Sequence, residues 1–172
     1  MFACAIPAAM RLDTLMAGAF AQKLKRLGED QRSGLWAAYA DIMQGWAGDG
    51  DAELIESAIS RLSVTARNPW RPFFLALCAD RFLRSGHTDD AQAMLGEAAR
   101  SVRKTDERNW EAEIYRLLGR AERQRDGGGS NNERDWIMKA IDAAKRDGSV
   151  IIEERARVDL TRIKLVVSKE VK

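Results

Sequence analysis

Apolar residues return along this chain every third or fourth position, and the returns come in pairs separated by glycine. From residue 70, Trp70, Phe74, Leu77, Cys78 and Phe82 share one side of a helix. Asn68 is placed to cap that helix and Pro69 suits its first turn. Gly86 stops it. Thr88, Asp89 and Asp90 then open a second helix, with acids at the positive end of its dipole and Ala91, Met94, Leu95, Ala98 and Val102 along one side. The unit over 70–104 is therefore helix–turn–helix.

The same order recurs. Residues 35–66 carry Tyr39, Ile42, Trp46, Gly50, Ile55, Ile59 and Leu62. Residues 109–146 carry Trp110, Ile114, Leu118 and Gly119, then the turn "RDGGGSNN", then Ile137, Ala140, Ile141 and Ala144. The turn glycines Gly50, Gly86 and Gly128 are spaced in the range of short helical repeats. Upstream, Leu12, Leu15, Ala19, Leu24 and Leu27 fit the second helix of an incomplete repeat. Downstream, Ile152, Ala156, Leu160, Ile163 and Val167 fit one long amphipathic helix over 151–168. Strands have little support, because Val, Ile and Thr seldom alternate with polar residues.

This pattern resembles the tetratricopeptide repeat, a large residue followed by Leu-Gly, an aromatic, a turn glycine and later alanines. The middle unit fits best, with Leu75, Cys78, Ala79, Phe82, Gly86, Ala91, Leu95 and Ala98 at successive key positions. Small residues are needed there for steric reasons: Ala79 and Gly119 let the helices of a pair approach, and Ala98 and Ala140 let the next pair stack. Met43 replaces the small residue in the first unit and Glu122 the aromatic in the third. The expected fold is all-α: an α-solenoid of about three helix pairs over 12–168 with half repeats at both ends, preceded by a poorly ordered 1–11.

Composition narrows the function classes. The 172 residues suffice for a real core, and 45% apolar with 31% charged residues suits a folded helical chain. The 28 basic and 26 acidic residues nearly cancel, which leaves no electrostatic case for nucleic acid or an anionic membrane. No run is long enough to cross a bilayer, and "MFACAIPAAM" lacks the basic start of a signal peptide. Cys4 and Cys78 stand far apart and His87 is the single histidine, so neither a disulfide framework nor a metal site is expected, and a reducing cytoplasm is the default. His87 reads as a solvated turn residue. "GGGSNN" follows a helix and precedes no Lys-Ser/Thr, so it reads as a flexible inter-helix turn and not a phosphate loop. Trp46, Trp70 and Trp110 are expected in the core; Trp36 and Trp136, nearer helix starts, are expected to be partly exposed.

Four phrases carry a closer resemblance: "LWAAYADIMQGWA", "NPWRPFFLALCADRFLRSG", "NWEAEIYRLLGR" and "IIEERARVDLTRI", in that order. They look like the C-terminal repeat region of bacterial class III adenylate/guanylate cyclases that also carry a signal-transduction ATPase domain, over about residues 12–167. The chain has no GxxxxGK[ST] and no pair of metal-binding aspartates in a strand context, so that family's catalytic and nucleotide-binding residues have no matching positions. The resemblance implies a regulatory or interaction segment, without catalytic residues, cofactor or metal.

The expected function is accordingly a non-enzymatic interaction module in bacterial signalling, docking a protein partner or a neighbouring domain. Arg81, Arg84, Arg116 and Arg120 belong to the first helices of their pairs and are the candidate groove residues for gripping carboxylates. Phe20 and Leu24 at one end, and Ile163 and Val167 at the other, are candidate contacts for self-association through the solenoid ends. The alternatives are a nucleic-acid-associated repeat protein using basic helix faces, and a detached piece of a cyclase/ATPase chain.

Overall fold

The computed structural model describes residues 13–48, 52–63, 70–105 and 108–170. Cys4, Gly50, Asn68, Pro69 and the side chains of Leu62 and Val167 lie outside this description. The described residues form eight α-helices and no strand: α1 (Thr14–Asp30), α2 (Gly34–Ala47), α3 (Ala52–Ser63), α4 (Arg71–Arg84), α5 (Thr88–Thr105), α6 (Glu111–Asp126), α7 (Asn131–Arg146) and α8 (Val150–Glu170). A 3-10 turn, Arg108–Trp110, precedes α6. The chain divides into two compact units, one ending at Arg81 and the other starting at Phe82, with the division inside α4.

In the first unit α1 and α2 form an antiparallel hairpin with capped starts. The Met16 N–H donates to Asp13 Oδ1 at 2.9 Å, and the Trp36 N–H donates to Ser33 Oγ at 3.4 Å. The hairpin closes on small residues. A Cβ at Gly28 would lie 2.9 Å from the backbone nitrogen of Ala37, and one at Gly18 would lie 3.7 Å from Ala47 Cβ. This contact sets the register of α1: Ala17, Ala21, Leu24 and Gly28 are buried, whereas Leu15 is 88% exposed and Ala19 is exposed. The expected stripe through Leu15 and Ala19 therefore faces outward, because close backbone approach selects small residues over large ones.

The α2–α3 pair meets at Gly45, where a Cβ would lie 2.5 Å from Ile55 Cγ1. The small residue of the first unit is thus Gly45, while Met43 is a fully buried filler. α4 joins through aromatic and polar contacts: the Tyr39 and Phe74 rings stack at 4.2 Å, and the Trp46 Nε1–H donates to buried Asp80 Oδ2 at 2.9 Å. Asp41, buried on α2, pairs with Lys25 of α1 at 3.0 Å and with Arg61 of α3. Trp46 and Trp110 are buried as expected, but Trp70, just ahead of α4, is half-buried.

In the second unit α6 and α7 repeat the joint of the first. A Cβ at Gly119 would lie 2.6 Å from Ile137 Cδ1 and 3.3 Å from the Glu133 carbonyl oxygen. Ala91, Leu95, Ala98 and Val102 turn the buried side of α5 inward, and α5 packs on α6. Leu117, not Leu118, is the fully buried leucine of α6. Ile137, Ala140 and Ile141 of α7 share one apolar cluster with Ala156 and Ile163 of α8, with Tyr115 of α6 and Leu160 packed alongside.

Left-handed glycine makes three of the turns, the last at Gly148 (φ 67°) between α7 and α8. Gly86 (φ 82°) separates α4 from α5, and Gly127, Gly128 and Gly129 (φ 80°, 96° and 83°) separate α6 from α7. The second turn is pinned. Ser130 Oγ accepts from the Glu133 N–H at 3.1 Å, and the Glu133 carboxylate accepts from the Gly129 N–H at 2.8 Å. Ser130 is the N-cap, and its hydroxyl contributes about 1 kcal/mol, while the reciprocal bond of Glu133 goes to the residue just before the cap. Gly129 and Ser130 are thus tied to the first turn of α7.

Candidate functional site: a charged seam and an aromatic ledge

The charges of the second unit concentrate where α6 faces α8 and the start of α7. Arg116, only 5% exposed, is gripped twice by Glu113, Nε to Oε2 at 2.8 Å and Nη2 to Oε1 at 2.7 Å. Its Nη1 donates to Asp159 Oδ2 of α8 at 3.0 Å. Arg162, one turn further along α8, adds a second cation to Asp159 at 3.3 Å. One turn further along α6 from Gly119, Arg123 donates to Oε1 of buried Glu133 at 2.6 Å, and its Nη2 reaches the Asp159 carbonyl at 3.5 Å. Burial opposes the Arg116 charge, but Glu113 and Asp159 outweigh it and hold its proton more tightly than usual.

The chemistry of this seam is cohesive. A bidentate guanidinium with both its carboxylate partners engaged fixes the spacing of α6 and α8 and directs its donors inward. Glu122, also buried, lies against Arg125 and receives a 3.5 Å hydrogen bond from Gln92 of α5, which adds a tie across α5 and α6.

The second feature is an aromatic ledge on the α6–α7 seam. Tyr115 and Trp136, both half-buried, sit with ring centroids 5.6 Å apart. Lys139 Nζ stands 4.3 Å from the Trp136 ring centre. The Tyr115 hydroxyl donates to Glu111 Oε1 at 2.9 Å; burial and this carboxylate raise the phenol above its ordinary pKa. Glu111 also receives Arg146 Nη2 at 2.7 Å, and Arg146 is held by Asp147 besides. Hydrogen bonds to Asp147 and Glu111 raise the Arg146 pKa. Beside Tyr115 lies a shallow cleft lined by Ala99, Val102, Arg103, Glu111 and Ile114.

The expected site residues separate on this geometry. Arg84 is exposed, and Arg81 and Arg120 are half-buried. Arg116 is the exception and corrects the expectation: it is enclosed and committed to Glu113 and Asp159, because an unpaired guanidinium at that depth is untenable. Among the expected end contacts, Phe20 is half-buried, with Lys23 Nζ 5.9 Å from its ring centre. Leu24, at 2% exposure, is core of the first unit, since the small-residue hairpin turns it inward. Ile163 is likewise inside, at 3%, against α7. The side chain of Val167 lies outside the described residues.

His87 is exposed, with Nδ1 4.0 Å from Asp90 Oδ2. Cys78 is buried, and burial pushes its thiol pKa well up. Trp36 is 39% exposed, which agrees with its place near a helix start. Among the described residues no group of three His, Cys, Asp or Glu side chains is positioned to hold a metal ion, and no helix is long and apolar enough to cross a membrane.

Two of the seam's partnerships had local signals that the apolar pattern did not use. Ser130 and Glu133 stand at capping-box spacing, and Glu113 and Arg116 at i,i+3 on one helix. The Arg116–Asp159 pair joins distant segments, and no local spacing announces it. In comparisons with known proteins, no family model, no curated protein and no solved structure matches the chain.

Proposed function

We propose that the chain is a non-enzymatic interaction or regulatory module made of tetratricopeptide-like helix pairs, similar to the C-terminal repeats of bacterial class III cyclases with a signal-transduction ATPase domain, and that it works on a protein partner in the bacterial cytoplasm. The observation that supports this most is the recurrence of one joint. Gly45 admits Ile55 in one unit and Gly119 admits Ile137 in the other, each a small residue of a first helix receiving an isoleucine of the second. Such joints are what stacked helix pairs require, and stacked helix pairs serve chiefly as binding surfaces. Arg84 and Arg120, on first helices, keep the role of gripping partner carboxylates.

The test is capture from the native cell followed by reconstitution. A purified partner should form a stoichiometric complex with the purified chain, resolved by size-exclusion chromatography, and Arg84→Glu with Arg120→Glu should weaken it. Turnover of ATP or GTP by the pure chain would overturn the reading. So would steeply salt-dependent retention on DNA with no protein partner, which is the signature of a nucleic-acid protein.

A further inference from the structure

The ledge of Tyr115 and Trp136 differs from the charged seam in one respect: its cations are left over. Arg146 is satisfied by Glu111 and Asp147. Among the described residues no ion pair engages Arg103, which lines the cleft beside Tyr115, or Lys139, which stands over Trp136. Both are exposed. The α6–α7 seam thus presents two half-buried rings, with Arg103 of α5 beside Tyr115 and Lys139 of α7 over Trp136. Trp136, Lys139 and Arg146 follow one side of α7 at helical spacing, so the ledge runs along the helix and suits an extended segment.

We propose that this ledge docks an acidic peptide segment of a protein partner, which lays a planar or aliphatic side chain on Tyr115 and Trp136 and sets carboxylates against Arg103 and Lys139. The proposal rests on the interaction-module reading and names the chemistry of its partner. Charge complementarity selects the occupant. Two free cations match two carboxylates, whereas a nucleic-acid strand brings a phosphate at every step, more charge than the two cations meet. Aromatic rings with a cationic rim also supply a large contact area at low entropic cost, as binding surfaces do.

The experiment follows the indole N–H signals of the 15N-labelled full chain by NMR, with Trp136 assigned through Trp136→Phe. The probe is an unlabelled hexapeptide of glutamates around one tryptophan; its lysine counterpart and a thymidine oligonucleotide are the controls. The expected result is a saturable shift of the Trp136 signal with the acidic peptide while exposed Trp36 stays in place. Arg103→Ala with Lys139→Ala should weaken binding about tenfold, as the loss of two exposed ion pairs with the peptide's carboxylates implies. An unmoved Trp136 signal, an equal response to the lysine peptide, tighter binding of the oligonucleotide, or an unchanged affinity in the double variant would each overturn the proposal. If Trp136 stays unmoved while the chain still forms its stoichiometric partner complex, docking occurs elsewhere and the module reading stands; if no complex forms either, both readings fall together.

Discussion

The two units use the same glycine-to-isoleucine joint but hold their remaining helices differently. The first relies chiefly on close backbone approach and rings, with Gly28 against Ala37, Tyr39 on Phe74 and a buried hydrogen bond from Trp46 to Asp80, and its ionic tie is a single buried carboxylate, Asp41, shared by Lys25 and Arg61. The second relies on ions, with Arg116 and Arg123 binding Glu113, Glu133 and Asp159 across three helices. The difference teaches that the apolar pattern specifies a helix pair, while the means of attaching a third helix is open to either chemistry. Small-residue contacts tolerate no added volume. Buried ion pairs tolerate volume but not the loss of one partner.

The largest expected effect tests whether the first unit depends on its apolar interior. Leu24→Glu should cost roughly 4 kcal/mol or more, because it buries an unpaired carboxylate. Urea denaturation followed by circular dichroism should show loss of helix at low denaturant. A variant of wild-type stability would mean that Leu24 is a surface contact after all.

Next comes the seam. Arg116→Ala leaves Glu113 without its cation and Asp159 with only the exposed Arg162, and should cost about 3–5 kcal/mol. Replacing Arg116, Glu113 and Asp159 together by Met, Leu and Leu should recover most of that loss in the same denaturation experiment. If the triple variant is as unstable as Arg116→Ala, the ions do more than hold the helices at their spacing.

Smaller effects separate backbone from side-chain contact. Gly28→Ala meets a backbone nitrogen and should cost about 1–3 kcal/mol, with no neighbouring substitution able to relieve it. Gly45→Ala meets only the Ile55 side chain, at Cγ1 and Cδ1, so Ile55→Ala should restore part of its loss. Thermal midpoints of Gly28→Ala, Gly45→Ala and Gly45→Ala with the Ile55 substitution would check the contrast, and no recovery in the last would erase it.

The smallest effect is one of pH. Burial raises the Cys78 thiol above its ordinary value of 9.0, so above that pH the unfolded chain loses a proton that the folded chain keeps. The stabilisation is complete below 9.0 and declines as pH rises past it. Wild type should therefore lose stability relative to Cys78→Ala between about pH 8 and about pH 10, read from urea midpoints. Parallel pH profiles would show the thiol to be solvated.

Much of this fold was legible in the sequence because periodicity is a local signal. The bounds of α5 follow from Thr88 and the acids after it, and the break before it from Gly86. The register of α1 was not legible. Leu15 and Ala19 continue the helical period as well as Ala17 and Ala21 do, and only the approach of Ala37 to Gly28 decides between them. The candidate site failed at Arg116 for a related reason. Position on a first helix was readable, but Asp159, which draws the guanidinium inward, arrives from a distant segment. Trp136 was expected to be partly exposed, yet its meeting with Tyr115 and Lys139 needed the α6–α7 pairing.

The Gly119–Ile137 joint carries a consequence for how such a chain changes over generations. A methyl group at 119 has no room while a full isoleucine stands at 137, and a shorter residue at 137 leaves a void while glycine stands at 119. Each single step is penalised and the double step is mild. In any lineage descended from this chain the two positions are therefore bound to drift as a couple, as are 45 and 55, and such paired drift would be the record of the joint in sequences too diverged to share its tryptophans.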